Sequence, residues 1–343
     1  MNEKQRVFSV LSGNKPDRIP NLNIIMQFAA REIGVSYSAY CKDFRLLCEG
    51  NIVCAEKYGI DCVTTMSDPM KEASAFGSKI IFPEDGVPYT KEYLLEDEDQ
   101  LLRLKTVNPC DSERMSQSVN AVELYKRRLG NDSVVIGWVE GCLAEAADLR
   151  GVNELLMDLV INEAFVIELL DLCLEQAVLF ARAQIDAGAD IIGVGDAIAS
   201  VAGPVYYQKF ALPYQIKLLS AIREMGAKTK LHICGDVTPF LEFLPAEHCD
   251  IIDLDWMVPL DRAAQLFGGK CTLSGNYDPV AVLLQGTPAS VRQAVIDCGK
   301  AAAARHCSDS SAAIRYFSSA GCEVPKYTPP ANLLAVAQTL ANI

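Results

Sequence analysis

The chain has 343 residues, 50% of them hydrophobic, enough to bury a sizeable core as one large domain or two small ones. A formal net charge of -13 argues against a nucleic-acid ligand, whose phosphates need a basic face. The start, MNEKQRVFSVL, has no long apolar run, and no stretch approaches the length of a membrane span, so a cytoplasmic protein without a membrane partner is expected.

Before Ile19 the sequence predicts a short helix and then a turn at Asn14-Lys15-Pro16-Asp17, which would cap one end of the fold. From Ile19 onward, short β-rich runs alternate with longer helical patterns. The runs are IPNLNIIM from Ile19, DCVTTM from Asp61, VVIGWVEG from Val134 and DIIGVGD from Asp190. They continue with KTKLHIC from Lys228, DIIDLD from Asp250, CTLSGN from Cys271 and IRYFSSAG from Ile314. Between the third and fourth lies GVNELLMDLVINEAFVIELLDLCLEQAVLFARAQIDAG, with apolar residues at helical spacing. Gly59, Gly188 and Gly226 end helices just before strands.

Eight strands alternating with helices predict a parallel α/β sheet, and eight is the number that closes a (β/α)₈ TIM barrel. We therefore read residues 1–343 as one barrel domain, with an open doubly wound sheet as the alternative. Residues 77 to 95 break the alternation. They predict a β-hairpin turning around Glu84-Asp85-Gly86, between the second strand and its helix. The thirteen cysteines are scattered and include no CxxC pair. Most, such as Cys48, Cys54, Cys173 and Cys298, fall in helical segments as small core hydrophobes.

A TIM barrel carries its active site at the C-terminal ends of its strands. The residues expected there are Ser67 and Asp68, Glu140, Asp196, His232 and Cys234, Asp253 and Asp255, Asn276 and Asp278, and Cys322. His232 and Cys234 alternate on one strand and so share a face. An imidazole and a thiolate on one face, with Cys322 from another strand end, make three zinc ligands. Three protein ligands leave one position open, the mark of a catalytic zinc. Two thiolates cancel the charge of Zn²⁺. They leave a bound substrate thiolate nucleophilic, as alkyl transfer to sulfur requires. Each residue also has a plain structural role open to it. Cys234 alone would be a buried small side chain, and the aspartates would cap helices or bond loop amides. Gly193-Val194-Gly195 lacks the third glycine of a dinucleotide loop and instead permits close packing.

The segments KPDRIP, GPVYYQKFALPYQIKLLSAI, SGNYDPVAVLLQGTPASVRQAV and AGCEVPKYTPPANLLAV together resemble the uroporphyrinogen decarboxylase superfamily over nearly the whole chain. That superfamily's fold is the (β/α)₈ barrel. The decarboxylase itself holds substrate propionates with an arginine-rich segment of the type RQAGRY; the matching NIIMQFAAREIG offers only Arg31. The chain looks instead like the branch of zinc-dependent corrinoid methyltransferases that includes methylcobamide:coenzyme M methyltransferases. Their H-x-C…C zinc motif falls on His232, Cys234 and Cys322. EGCLAEAADLRG from Glu140 and KEASAFG from Lys71 look like the same branch, although Cys142 stands where a proline often follows the glycine.

The resemblance implies methyl transfer between a corrinoid cobalt and a small thiol, or another methyl donor or acceptor, bound at Zn²⁺. The motif DxHxxG of corrinoid domains does not occur, the other histidines being His248 and His306. The corrinoid, methylcobalamin or a relative, is therefore expected on a separate corrinoid-binding protein docking at the strand ends. Asp255, Glu140 and Asp196 are expected to orient substrate or shuttle a proton, and Asn276 and Tyr277 to contact the corrinoid. Met26, Phe28, Tyr206, Tyr207 and Trp256 are candidates to line the pocket. A tetrapyrrole decarboxylase and a non-catalytic partner of the corrinoid protein are the competing readings.

Overall fold

The computed structural model describes residues 1–304 and 314–343. In chain order its strands are β1 (Cys62–Thr64), β2 (Ile80–Ile81), β3 (Tyr89–Thr90), β4 (Val134–Glu140), β5 (Ile191–Gly195), β6 (Lys228–Ile233), β7 (Ile251–Leu254), β8 (Thr272–Tyr277) and β9 (Tyr316–Ala320). Seven of them form one parallel sheet in the order β1-β4-β5-β6-β7-β8-β9. Each strand joins beside its predecessor, always on the same side, unlike the reversing order of a doubly wound sheet.

The sheet is buried on both faces: β4 and β5 are nearly unbroken apolar runs, while β6, β8 and β9 carry buried polar residues such as Lys230, His232, Asn276 and Ser318. The longest helix, Glu163–Asp186, buries Val166, Leu169, Leu170, Cys173, Ala177, Phe180, Ala181 and Gln184, a stripe with the period of a one-sided helix. Helix Phe44–Tyr58 is opened by Asp43, whose carboxylate accepts from the Arg45 amide, and closed by Gly59 at φ 59°. A left-handed residue at that place is met most cheaply by glycine. Cys48, Cys54 and Cys173 are buried and Cys298 half-buried.

Seven strands stand where eight are predicted by the sequence. The run from Ile19 is not a strand; it makes a single bridge, Asn21 to Ser318. Pro20 has no amide hydrogen to give, and its carbonyl accepts from Ser318 while the Leu22 amide donates to the Ser318 carbonyl. On the other side the Asn21 carbonyl accepts from Asp61, at the start of β1. Asn23 substitutes its side chain for the ladder, its Oδ1 accepting from the Ala320 amide. The segment thus spans the gap between β9 and β1 without regular strand geometry.

β2 and β3 pair antiparallel with Ile80 opposite Thr90 and Ile81 opposite Tyr89, so the paired part of the excursion is two residues on each side. It follows a short helix, Lys71–Phe76, rather than coming directly after β1. The first helix, Glu3–Leu11, starts with a capping box between Asn2 and Gln5. Arg6 and Lys4 bond Asp61 and Asp190, which precede β1 and β5, so this helix sits at the N-terminal ends of the strands. The opposite end is left for the site.

On the inner face of the curled sheet, the Trp138 ring lies over β5. A Cβ on Gly193 would fall 2.3 Å from Trp138 Cε3, and one on Gly195 2.9 Å from its Cζ2. The two glycines are there to seat the indole. No helix among the described residues is long and apolar enough to cross a membrane.

Candidate metal centre

The ladder places Gly195 opposite His232, and His232 opposite Asp253. Two-residue alternation therefore sends Lys230, His232 and Cys234 to the face that Asp253 and Asp255 also occupy. Cys322 lies two residues beyond the end of β9. The ligand atoms of His232, Cys234 and Cys322 all lie within 4.8 Å of one another, with His232 Nε2 3.1 Å from Cys234 Sγ. This is the only group of three or more such ligands among the described residues. One imidazole and two sulfurs at this spacing fit a Zn²⁺ ion, and suit hard, oxygen-seeking cations poorly.

Three features hold the trio. Gly321 lies against the loop after β7, where a Cβ would fall 2.1 Å from the Trp256 amide nitrogen. Gly235, at φ 95°, turns the chain after Cys234 and donates its amide to Asp255 Oδ2 at 2.6 Å. Asp255 Oδ1 accepts from the Trp256 amide, also at 2.6 Å. The third feature is beneath the metal ligands. His232 Nδ1 is 3.1 Å from Asp253 Oδ2, and Lys230 Nζ is 3.0 Å from the same oxygen.

The electrostatics favour a thiolate at Cys322, while the hydrogen bond to Cys322 and then burial push the Cys234 thiol well up. Hydrogen bonding from Cys234 and then His232 outweighs burial and brings the Cys322 thiol down to about 4. Burial pushes the Asp253 carboxyl up, but the Lys230 ammonium and His232 hold it well below the usual range. Glu323, which the sequence reading did not single out, is pushed up to about 7 by burial and by the Cys322 charge. Its position next to Cys322 was the available signal.

Of the other expected residues, Asp255 joins the site, and the rest are engaged elsewhere. Asp196 accepts from the Ala144 amide and from Gln215 Nε2, and burial lifts its carboxyl to about 6. Asn276 donates to the carbonyls of Asp255 and Val258, fixing the loop that carries Trp256. Tyr277 is buried, its hydroxyl accepting from Asn23 Nδ2. Asp278 caps the turn at Val280 and Ala281. Asp68 is paired with Arg114 and takes the Ser67 hydroxyl. Glu140 accepts from Trp138 Nε1, and its amide donates to Glu72 Oε1. Burial and then the Glu72 charge raise the Glu140 carboxyl well above its ordinary value. Glu72 itself is lifted to about 7 by burial, beside Glu145 and Asp148. These three lie in the segments KEASAFG and EGCLAEAADLRG, yet no spacing rule marks them.

Two of the aromatic residues proposed for the pocket belong to the core. Phe28 is fully buried edge-on to Tyr58, and Tyr207 stacks on Phe240 with centroids 4.2 Å apart. Met26 is also buried; Tyr206 is half-buried and Trp256 exposed. Among the remaining histidines, His306 lies outside the described residues.

The family model described as Uroporphyrinogen decarboxylase (URO-D) matches residues 2–343. The chain is 27% identical to a methylcobamide:CoM methyltransferase, MtbA, of Methanosarcina acetivorans, over 99% of this chain and 97% of that protein. It is 24% identical to a uroporphyrinogen decarboxylase of Pseudoalteromonas atlantica, over 78% of this chain and 76% of that one. Among solved structures, a methyltransferase from Methanosarcina mazei superposes with a TM-score of 0.88, at 20% identity, covering 100% of this chain and 99% of that one. At that identity the likeness is one of fold.

Proposed function

The chain belongs to the uroporphyrinogen decarboxylase family, and on that premise we propose that it is a zinc-dependent methyltransferase. It moves a methyl group between a corrinoid carried by a separate protein and a small thiol, or another methyl donor or acceptor, held at the metal. The observation that carries this reading is the convergence of His232, Cys234 and Cys322 at the strand ends, with ligand atoms within 4.8 Å. The methylcobamide:CoM methyltransferase relative, matched over 99% of this chain, supports it.

His232, Cys234 and Cys322 would hold the ion. Bound there, Zn²⁺ would supply a Lewis acid that keeps a substrate thiol deprotonated near neutral pH. The chain's own residues do the rest. Asp253 accepts from Nδ1 of His232, which leaves Nε2 as the ligand atom. Asp255 keeps the loops after β6 and β7 together by accepting from the amides of both Gly235 and Trp256. Glu323 follows Cys322 in the chain, and burial and the Cys322 charge raise its carboxyl to about 7.

Transfer of an alkyl group to sulfur needs an open approach rather than a charged clamp. Arg114 is committed to Asp68, and Arg31 stands at the surface with one nitrogen on the Lys326 carbonyl. A single exposed arginine is a poor clamp for the several carboxylates of a tetrapyrrole, which speaks against the decarboxylase reading. Zinc per chain by elemental analysis, followed by demethylation of methylcobalamin with a panel of thiols, tests the proposal. About one zinc and thiol-dependent demethylation are expected. A metal-free protein, purified without chelator, would overturn it.

A further inference from the structure

We propose that Lys230 is a positioning residue of the metal centre, acting through Asp253 to fix the His232 imidazole. The inference rests on the metal-dependent reading above. The two residues alternate on β6, so both face the barrel interior, and β7 brings Asp253 opposite His232. A single carboxylate oxygen, Asp253 Oδ2, is shared: Lys230 Nζ lies 3.0 Å from it and His232 Nδ1 3.1 Å. All three side chains are at most 3% exposed.

A fully buried lysine is a costly way to fill a barrel. A methionine or leucine would occupy the same space without desolvating a charge, and replacing buried ion pairs by apolar groups is often neutral or stabilising. The arrangement needs another reason, and the histidine supplies it. An imidazole can coordinate through Nε2 only when Nδ1 keeps the proton, and an acceptor at Nδ1 enforces that tautomer and the ring's orientation. The acceptor must itself stay ionised and still. Lys230 answers the second need by geometry: its Nζ lies 3.0 Å from Asp253 Oδ2, the same oxygen that faces His232 Nδ1, and so pins the carboxylate in place.

The charge balance also closes. Two thiolates balance Zn²⁺, the histidine adds nothing, and Lys230 cancels Asp253. The carboxylate therefore orients His232 without adding net negative charge below the metal. The ion, its three ligands and the Lys230–Asp253 pair are then neutral together, with Asp255 on the flanking loops outside this balance.

The test is zinc affinity, measured by competition with a chromogenic chelator, together with the visible spectrum of the cobalt(II)-loaded protein. Lys230→Met, Asp253→Asn and the double variant are compared with the wild type. Each single variant is expected to bind zinc about 10–100-fold more weakly, with an altered cobalt spectrum. The double variant is expected to bind no more weakly than Asp253→Asn, because Lys230 acts only through Asp253. If Lys230→Met alone fails to fold, the double variant still decides, since it leaves no unpaired buried charge. A folded Lys230→Met with wild-type zinc affinity and spectrum would overturn the inference, as would a double variant weaker than Asp253→Asn. A wild type that binds no zinc would overturn the metal reading itself, and this inference with it.

Discussion

Gly321 and Trp256 meet backbone to backbone: a Cβ on Gly321 would fall 2.1 Å from the Trp256 amide nitrogen. The loop after β9 can therefore reach the loop after β7 only because residue 321 has no side chain. The contact sets the position of Cys322, one residue further on, against His232 and Cys234.

Gly321→Ala is expected to push this loop away and separate Cys322 from its partners. Zinc per chain should drop well below that of the wild type, while the far-ultraviolet circular dichroism stays unchanged. Full zinc occupancy in the variant would mean that the two loops can part without moving Cys322.

Cys322→Ser and Cys234→Ser each replace a sulfur able to ionise by a hydroxyl that does not ionise near neutral pH. Both are expected to lose zinc and thiol-dependent demethylation of methylcobalamin together. Activity surviving in a zinc-free variant would separate the chemistry from the metal.

Gly193→Ala puts a methyl group where Trp138 lies, 2.3 Å from Cε3. Over-packing of this kind costs about 1–3 kcal/mol. Urea unfolding should show a lower midpoint than the wild type. An unchanged midpoint would mean that the indole can move aside within the barrel.

Asp68 is fully buried against Arg114, with Nη2 2.7 Å from Oδ2. Burial raises its carboxyl, but Arg114 outweighs that and the net shift is downward. A folded-state value below the unfolded one stabilises the protein above the unfolded value of about 3.9, and the stabilisation is lost as pH falls through the folded value. Asp68→Asn leaves Arg114 buried without a counter-charge and is expected to cost about 3–5 kcal/mol at neutral pH. The gap between variant and wild type should narrow below about pH 4, as the wild-type carboxyl takes a proton. A gap independent of pH would rule out the ion pair as its source.

Much of this protein is legible before any coordinates. The β-rich runs at Val134, Asp190, Lys228, Asp250 and Cys271 become β4 to β8; β4 and β5, buried on both faces, write themselves as nearly unbroken apolar segments. The run at Ile19 has the same look and is not a strand. Pro20 cannot donate, and the asparagine side chains at 21 and 23 bond where a ladder would. That outcome depends on what β9 and Asp61 offer across the gap, which no local pattern records. Phe28 and Tyr207 misled for a similar reason: an aromatic residue near a strand end has the same composition whether it lines a pocket or packs on Tyr58 or Phe240.

By itself the sequence determined the alternation of strands and helices and the side of the strand that His232 and Cys234 share, because both follow from local periodicity. It also named Cys322, from its place at the end of another β-rich run and from the H-x-C…C pattern of the resemblance. Only the tertiary structure decided that these atoms lie within 4.8 Å. Only it placed Lys230 and Asp253 beneath the imidazole, and tied Asn276 and Asp196 into the surrounding loops. Those contacts join residues far apart along the chain, or on facing strands. Their distances are set by register, glycine clearance and the curl of the sheet, which exist only once the whole sheet has formed.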